Sequence, residues 1–122
     1  DSVRRGASVS AGAFSPETKL IITARAMGMC EICRTAAIEQ FHHRRPRGAG
    51  GTKRPETAWP SNGLALCSPC HTEVESQRKE SLRLGYLVSQ HWNPADVAVF
   101  LGGRFVMFTK HGGIESPPPE AD

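Results

Sequence analysis

Two short cysteine pairs, Cys30-Glu-Ile-Cys33 and Cys67-Ser-Pro-Cys70, constrain this chain more than anything else in it. A Cys-x-x-Cys turn brings two sulfurs to one side of the backbone, and two such turns suit a tetrahedral thiolate site. A disulfide framework is the rival reading. No signal-peptide pattern opens the chain as given, and without a secretory context the pairs point to structural zinc. The chain needs such a staple. Its 122 residues allow one domain with a modest core, and twelve glycines and nine prolines crowd its ends and one central loop.

The interval between the pairs, residues 34–66, is 33 residues long. Zinc ribbons typically leave about 15–20, so something further is mounted on this loop. It carries His42-His43 and then Arg44, Arg45, Arg47, Lys53 and Arg54, with no acidic residue between positions 42 and 54. The net charge of +3 says little alone; this clustering says more. No apolar run approaches the ~20 residues of a membrane-spanning helix, which excludes a transmembrane protein.

Local signals give a coarse plan. Residues 1–14, rich in Ser, Ala and Gly, read as a disordered arm carrying Arg4 and Arg5. Ser15-Pro16-Glu17 starts a helix, with Leu20, Ala24 and Met27 at helical spacing and Gly28 to close it. Residues 34–47 read as extended, anchored by Ile38 and Phe41, and 48–60 as an irregular loop. Leu64 and Leu66 alternate like a short strand. A helix is expected from His71 to Leu84, stopped by Gly85. Val97–Leu101, Gly102-Gly103 and Arg104–Thr109 spell a β-hairpin. Trp92, Phe100, Phe105 and Phe108 are expected in packing roles, and His91 and His111 on the surface. Residues 113–122, with three successive prolines, read as a disordered tail. The plan is a single domain over 15–112.

The histidines carry the chemical interest. In an extended segment neighbouring side chains point to opposite faces, so His42 and His43 are expected to do different jobs. His71 follows Cys70 and faces away from the zinc if Cys70 faces it. One helical turn on stands Glu75, which can join His71 or pair with Lys79 instead. A Cys₂His₂ finger needs its histidines three to five residues apart, and the nucleobase deaminases need His-x-Glu before Pro-Cys-x-x-Cys. Neither spacing is present.

His42-His43-Arg44-Arg45-Pro46-Arg47, then Asn62, then Leu66-Cys67-Ser68-Pro69-Cys70-His71 resembles the HNH endonucleases whose ββα-metal (His-Me) finger is braced by zinc, among them small bacteriophage proteins. The resemblance covers roughly residues 28–85. It implies an α+β fold: a small ββα-metal HNH unit with a two-knuckle, four-cysteine zinc site, an N-terminal helix and a C-terminal β-hairpin. It implies that His43 is the general base, that Asn62 holds the base-bearing loop, and that His42, His71 and Glu75 bind a catalytic divalent ion, Mg²⁺, Mn²⁺, Ni²⁺ or Zn²⁺. Gly63 stands where the family often has Leu, and Val74 where a basic residue is frequent. The expected reaction is metal-dependent hydrolysis of DNA, leaving 5′-phosphate and 3′-hydroxyl ends, in a bacterial or phage-infected cytoplasm. Arg44, Arg45, Arg47, Lys53 and Arg54 are then expected to meet phosphates. The alternative is a zinc-stabilised DNA-binding or phage-packaging accessory module, with terminase proteins as partners and a dormant site.

Overall fold

The computed structural model describes residues 12–48 and 53–119. The first helix, α1 (Pro16–Arg25), starts where the sequence predicts, with the Ser15 hydroxyl accepting the Thr18 amide at 3.0 Å. Its buried face is different from the expected one. Leu20 is 70% and Met27 82% exposed, whereas Ile22 is fully buried. The partner surface explains the choice: a Cβ on Gly63 would lie 2.4 Å from Ile22 Cδ1, so Ile22 seats only because residue 63 has no side chain.

Strand β1 (Gln40–His43) pairs antiparallel with β2 (Gly63–Leu66), Gln40 opposite Leu66 and His43 opposite Gly63. The ladder uses four residues of the stretch expected to be extended, and two 3₁₀ turns, Pro55–Ala58 and Pro60–Asn62, shape the connecting loop. β2 is buried on both faces. Leu64 and Leu66 enter the main core beside Val74, Leu87, Val99, Val106 and Phe108, while Ala65 faces a second cluster with Phe14 and Ile22.

α2 (Ser68–Ser76) follows β2 directly, which gives the order β1–β2–α2. The single helix expected over 71–84 is in fact two. Gln77, at φ −109° and ψ 60°, breaks it, and α3 (Arg78–Leu84) runs on. The Ser81 hydroxyl donates to the Val74 carbonyl at 2.8 Å, satisfying an acceptor that the break would orphan. Gly85 ends α3 in the left-handed region, and no other residue fits there: a Cβ would fall 2.0 Å from the Ala98 carbonyl oxygen.

The hairpin forms as expected from β3 (Val99–Leu101) and β4 (Arg104–Phe108), turning on Gly102 and Gly103, both at positive φ. A two-residue strand, β5 (Ile114–Glu115), adds to β4. The expected arm and tail are therefore too long. Phe14 is buried at one end, and Ile114 and Glu115 join a sheet at the other. Residues 1–11, 49–52 and 120–122, with most of the expected arm, part of the basic loop and the end of the tail, lie outside the described residues. Phe108 packs as expected, but Trp92 is 59% exposed. No helix among the described residues is long and apolar enough to cross a membrane.

Candidate functional site

The first knuckle is a tight turn. The Arg34 amide donates to the Cys30 carbonyl at 2.9 Å and the Cys30 amide to the Ala36 carbonyl at 2.8 Å. The second knuckle is the entry to α2, with Cys67 at the N-cap. All four sulfurs lie within 4.8 Å of one another and no disulfide links them. Cys33 Sγ and Cys67 Sγ are 3.9 Å apart. A tetrahedron of Zn–S bonds of about 2.3 Å has edges of about 3.8 Å, so the four cysteines are positioned to bind a metal such as zinc. The Thr35 hydroxyl, then the Thr35 and Ala36 amides, pull the Cys33 thiol down to about 6. Burial, then the Cys67 and Cys30 sulfurs, push Cys70 up. One thiolate forms readily; a full set needs a dication in its midst.

Glu31, inside the first knuckle, is buried and paired. Arg25 Nε and Nη2 reach its two oxygens at 2.8 and 2.7 Å, the Ala65 amide donates to it at 2.9 Å, and Arg25 also bonds the Pro60 and Gly63 carbonyls. This pair ties α1, the knuckle and β2 together. A carboxylate between the two cysteines of a knuckle was the signal for it in the sequence.

On α2, residues 70 and 71 point about 100° apart, and 71 and 75 share a face. Cys70 belongs to the sulfur cluster, while His71 and Glu75 turn toward β1 and meet His42. Donor atoms of His42, His71 and Glu75 lie within 4.8 Å of one another, with Glu75 Oε2 3.7 Å from His42 Nδ1 and 3.5 Å from His71 Nε2. His42 is oriented by the backbone: its Nε2 is 2.9 Å from the Tyr86 carbonyl oxygen. A carbonyl only accepts, so Nε2 carries the hydrogen and Nδ1 keeps its lone pair toward Glu75. Burial above all lowers His42 to about 4, with the Tyr86 carbonyl opposing. The imidazole is therefore neutral near pH 7, as a ligand must be.

His43 faces elsewhere. Its ring stacks on Phe14, centroids 4.0 Å apart and planes 9° from parallel, and Nε2 lies 2.7 Å from the Gly12 carbonyl oxygen. By the same reasoning Nδ1 holds its lone pair. Burial lowers its pKa too, the Gly12 carbonyl opposing and Arg47 assisting. Asn62, fully buried, clasps the segment that leaves β1. Its Oδ1 accepts the Arg45 amide at 2.7 Å, Nδ2 donates to the Arg45 and Thr57 carbonyls, and its own carbonyl accepts the Arg44 amide at 2.8 Å.

The arginine run needs correction. Arg44 and Arg45 are 0% and 1% exposed, so neither can meet a phosphate. The Arg44 guanidinium donates to four carbonyls, those of Gly85, Ser61, Pro94 and Val97. Arg45 donates to the Trp92 carbonyl and the Thr57 hydroxyl and faces Glu56 at 3.3 Å. Arg54 donates to the carbonyl and side-chain oxygens of Gln90, and Lys53 is exposed. Arg47 alone of the five lines the open cleft of ≈ 470 Å³ at the histidines, which Arg78 enters from α3. Arg78 was missed, although it stands seven residues beyond His71 in the stretch expected to be one helix.

Tyr86, Gly12 and Phe14 were missed as well. Tyr86 and Gly12 act through their carbonyls, which no side-chain pattern announces. Phe14 alone offered a signal, as an apolar residue directly before a helix cap. No protein-family model, curated protein or solved structure matches the chain.

Proposed function

We propose that this chain is a metal-dependent endonuclease of the HNH type, hydrolysing DNA phosphodiester bonds. The observation that carries the reading is the β1–β2–α2 unit with a His42–His71–Glu75 donor set between β1 and α2 and a second, differently held histidine beside it. The four cysteines hold structural zinc and fix the N-terminus of α2, and so the direction of His71.

His43 is the general base. Its Nδ1 takes the proton of the attacking water, and burial keeps that nitrogen unprotonated at neutral pH. Asn62 holds the backbone just after His43, fixing where the base stands. His42, His71 and Glu75 would hold the divalent ion, Mg²⁺, Mn²⁺, Ni²⁺ or Zn²⁺; two imidazoles and one carboxylate suit such an ion. When bound, that ion relieves charge on the phosphoryl oxygens and on the departing 3′ oxygen. The products are a 5′-phosphate and a 3′-hydroxyl.

One observation favours a second reading. The Gly12 carbonyl already engages His43 Nε2, and Phe14 covers one face of the ring. An accessory module for DNA binding or phage packaging, with a dormant site and terminase partners, accounts for a histidine so enclosed. Protein carrying one zinc per chain, incubated with supercoiled plasmid and Mg²⁺, Mn²⁺, Ni²⁺ or Zn²⁺, with and without chelator, separates the two. The nuclease cuts with at least one added ion and the chelator stops it, and His43→Ala loses about 10²–10⁴ in rate with zinc content and melting unchanged. DNA binding without cleavage under any of the ions replaces the nuclease by the module.

A further inference from the structure

With Arg44 and Arg45 withdrawn from the surface, the candidate site has lost two of the charges that the sequence offered to DNA. Others take their place. The cleft at His42, His71 and Glu75 is one of two that meet at the His43 ring. The second runs toward α1, past Phe14 and Gln40, to Lys19. Phe41, His43 and Arg47 line both, so the two clefts adjoin along β1 and together make a trough. Cations stand along its whole length: Lys19 at one end, with Nζ 5.8 Å over the Phe41 ring, Arg47 in the middle, and Arg78 at the other end. Among the described residues, two carboxylates line it. Glu39 is engaged by the Ser68 amide at 2.6 Å, and Glu75 faces the two histidines.

We propose that this trough is the path of the nucleic-acid backbone, with Lys19, Arg47 and Arg78 each meeting a phosphate as the strand passes His43. These three residues come from α1, from the segment after β1 and from the start of α3. They are far apart in sequence, and only the fold lines them up. Contacts of this kind position a strand without reading its bases, so the trough takes DNA of any sequence. The inference rests on the nucleic-acid reading above, but not on cleavage.

The test is the salt dependence of binding to a labelled duplex, followed by fluorescence anisotropy between about 50 and 200 mM salt. Each of Lys19→Gln, Arg47→Gln and Arg78→Gln should flatten the slope of log K against log[salt] by about 0.9, and the triple variant by about 2.7. The loss should be the same for unrelated duplex sequences. Arg47→Lys should keep the slope, and so should Arg104→Gln with Lys110→Gln on the hairpin side. Melting curves verify that each variant is folded. A triple variant that is folded and keeps the parent slope overturns the trough, even if the parent cuts plasmid, in which case the nuclease reading stands alone. A parent that binds without cutting, with variants whose slopes flatten as stated, supports the trough while removing the nuclease. A parent with no affinity for DNA overturns both.

Discussion

The sulfur cluster and the histidine cluster share one helix, and they differ in almost every physical respect. Cys67, the N-cap of α2, and Cys70 within it face inward, and Cys30 and Cys67 are part of the hydrophobic core itself. His71 and Glu75, on the adjacent strip of the same helix, line a cleft, and the Glu75 side chain is 52% exposed. The sulfur site offers four protein donors; the histidine site offers three and an open side. Closed four-ligand sites hold folds together, whereas sites with an open position can admit water or substrate. Two clusters one residue apart on a helix can thus serve the architecture and the chemistry separately.

The largest effect expected from breaking that contrast lies on the sulfur side. Cys67→Ser should abolish cooperative folding, because the structural zinc proposed for these cysteines would supply on the order of 10 kcal/mol or more in so small a core. Circular-dichroism melting and metal analysis check this together; an unchanged Tm and zinc content would remove the cysteines from their structural role. Arg44→Ala comes next. It leaves four buried carbonyls without their shared donor and should cost about 3–5 kcal/mol, read from urea unfolding, with zinc content preserved. A cost under ~1 kcal/mol would mean that water replaces the guanidinium.

On the histidine side the expected effects are smaller and reversible. His71→Ala should leave Tm nearly unchanged and lower the proposed cleavage at limiting Mn²⁺ by at least the about 10–100-fold typical of losing an outer-shell partner, with part of the loss returning as the ion is raised. An unrescuable loss would put His71 in a different role. The smallest effect is on the pH profile. The proposed reaction needs His42 and His43 unprotonated, and burial lowers both below the ordinary imidazole value. The acid limb of kcat/KM should therefore fall below about 6.5, so activity survives mild acidification. A limb centred at or above that value would show that the buried histidines do not set the rate.

How much of this was legible in the sequence depended on range. Features decided within a few residues were readable: the Ser15 cap, the two knuckles, the stop at Gly85, and the two-glycine turn at 102–103. The arginine run was misread because its direction depends on partners 12 to 53 residues away. A run of arginines has the same composition whether it faces water or four carbonyls. The face of α1 failed for a related reason. Helical spacing allows several stripes, and the notch at Gly63 selects the one that contains Ile22. Among the proposed site residues, His42, His71 and Glu75 do come together, and Asn62 clasps the loop after His43. The carbonyls that orient the rings come from Tyr86 and Gly12, and backbone groups leave no signature in a sequence.

The Arg44 clasp also bears on the order in which the protein assembles. Its acceptors sit at positions 61, 85, 94 and 97, and its own carbonyl accepts the Val88 amide. Such a guanidinium has its full set of partners only when the loop before β2, the end of α3 and the approach to β3 have all arrived. Loops of that length close late, since their entropy is lost before their contacts form. The energy of the clasp then belongs mostly to the native side of the folding barrier. Removing it should hasten unfolding far more than it slows folding, so that Arg44 works chiefly as a latch on the lifetime of the folded state.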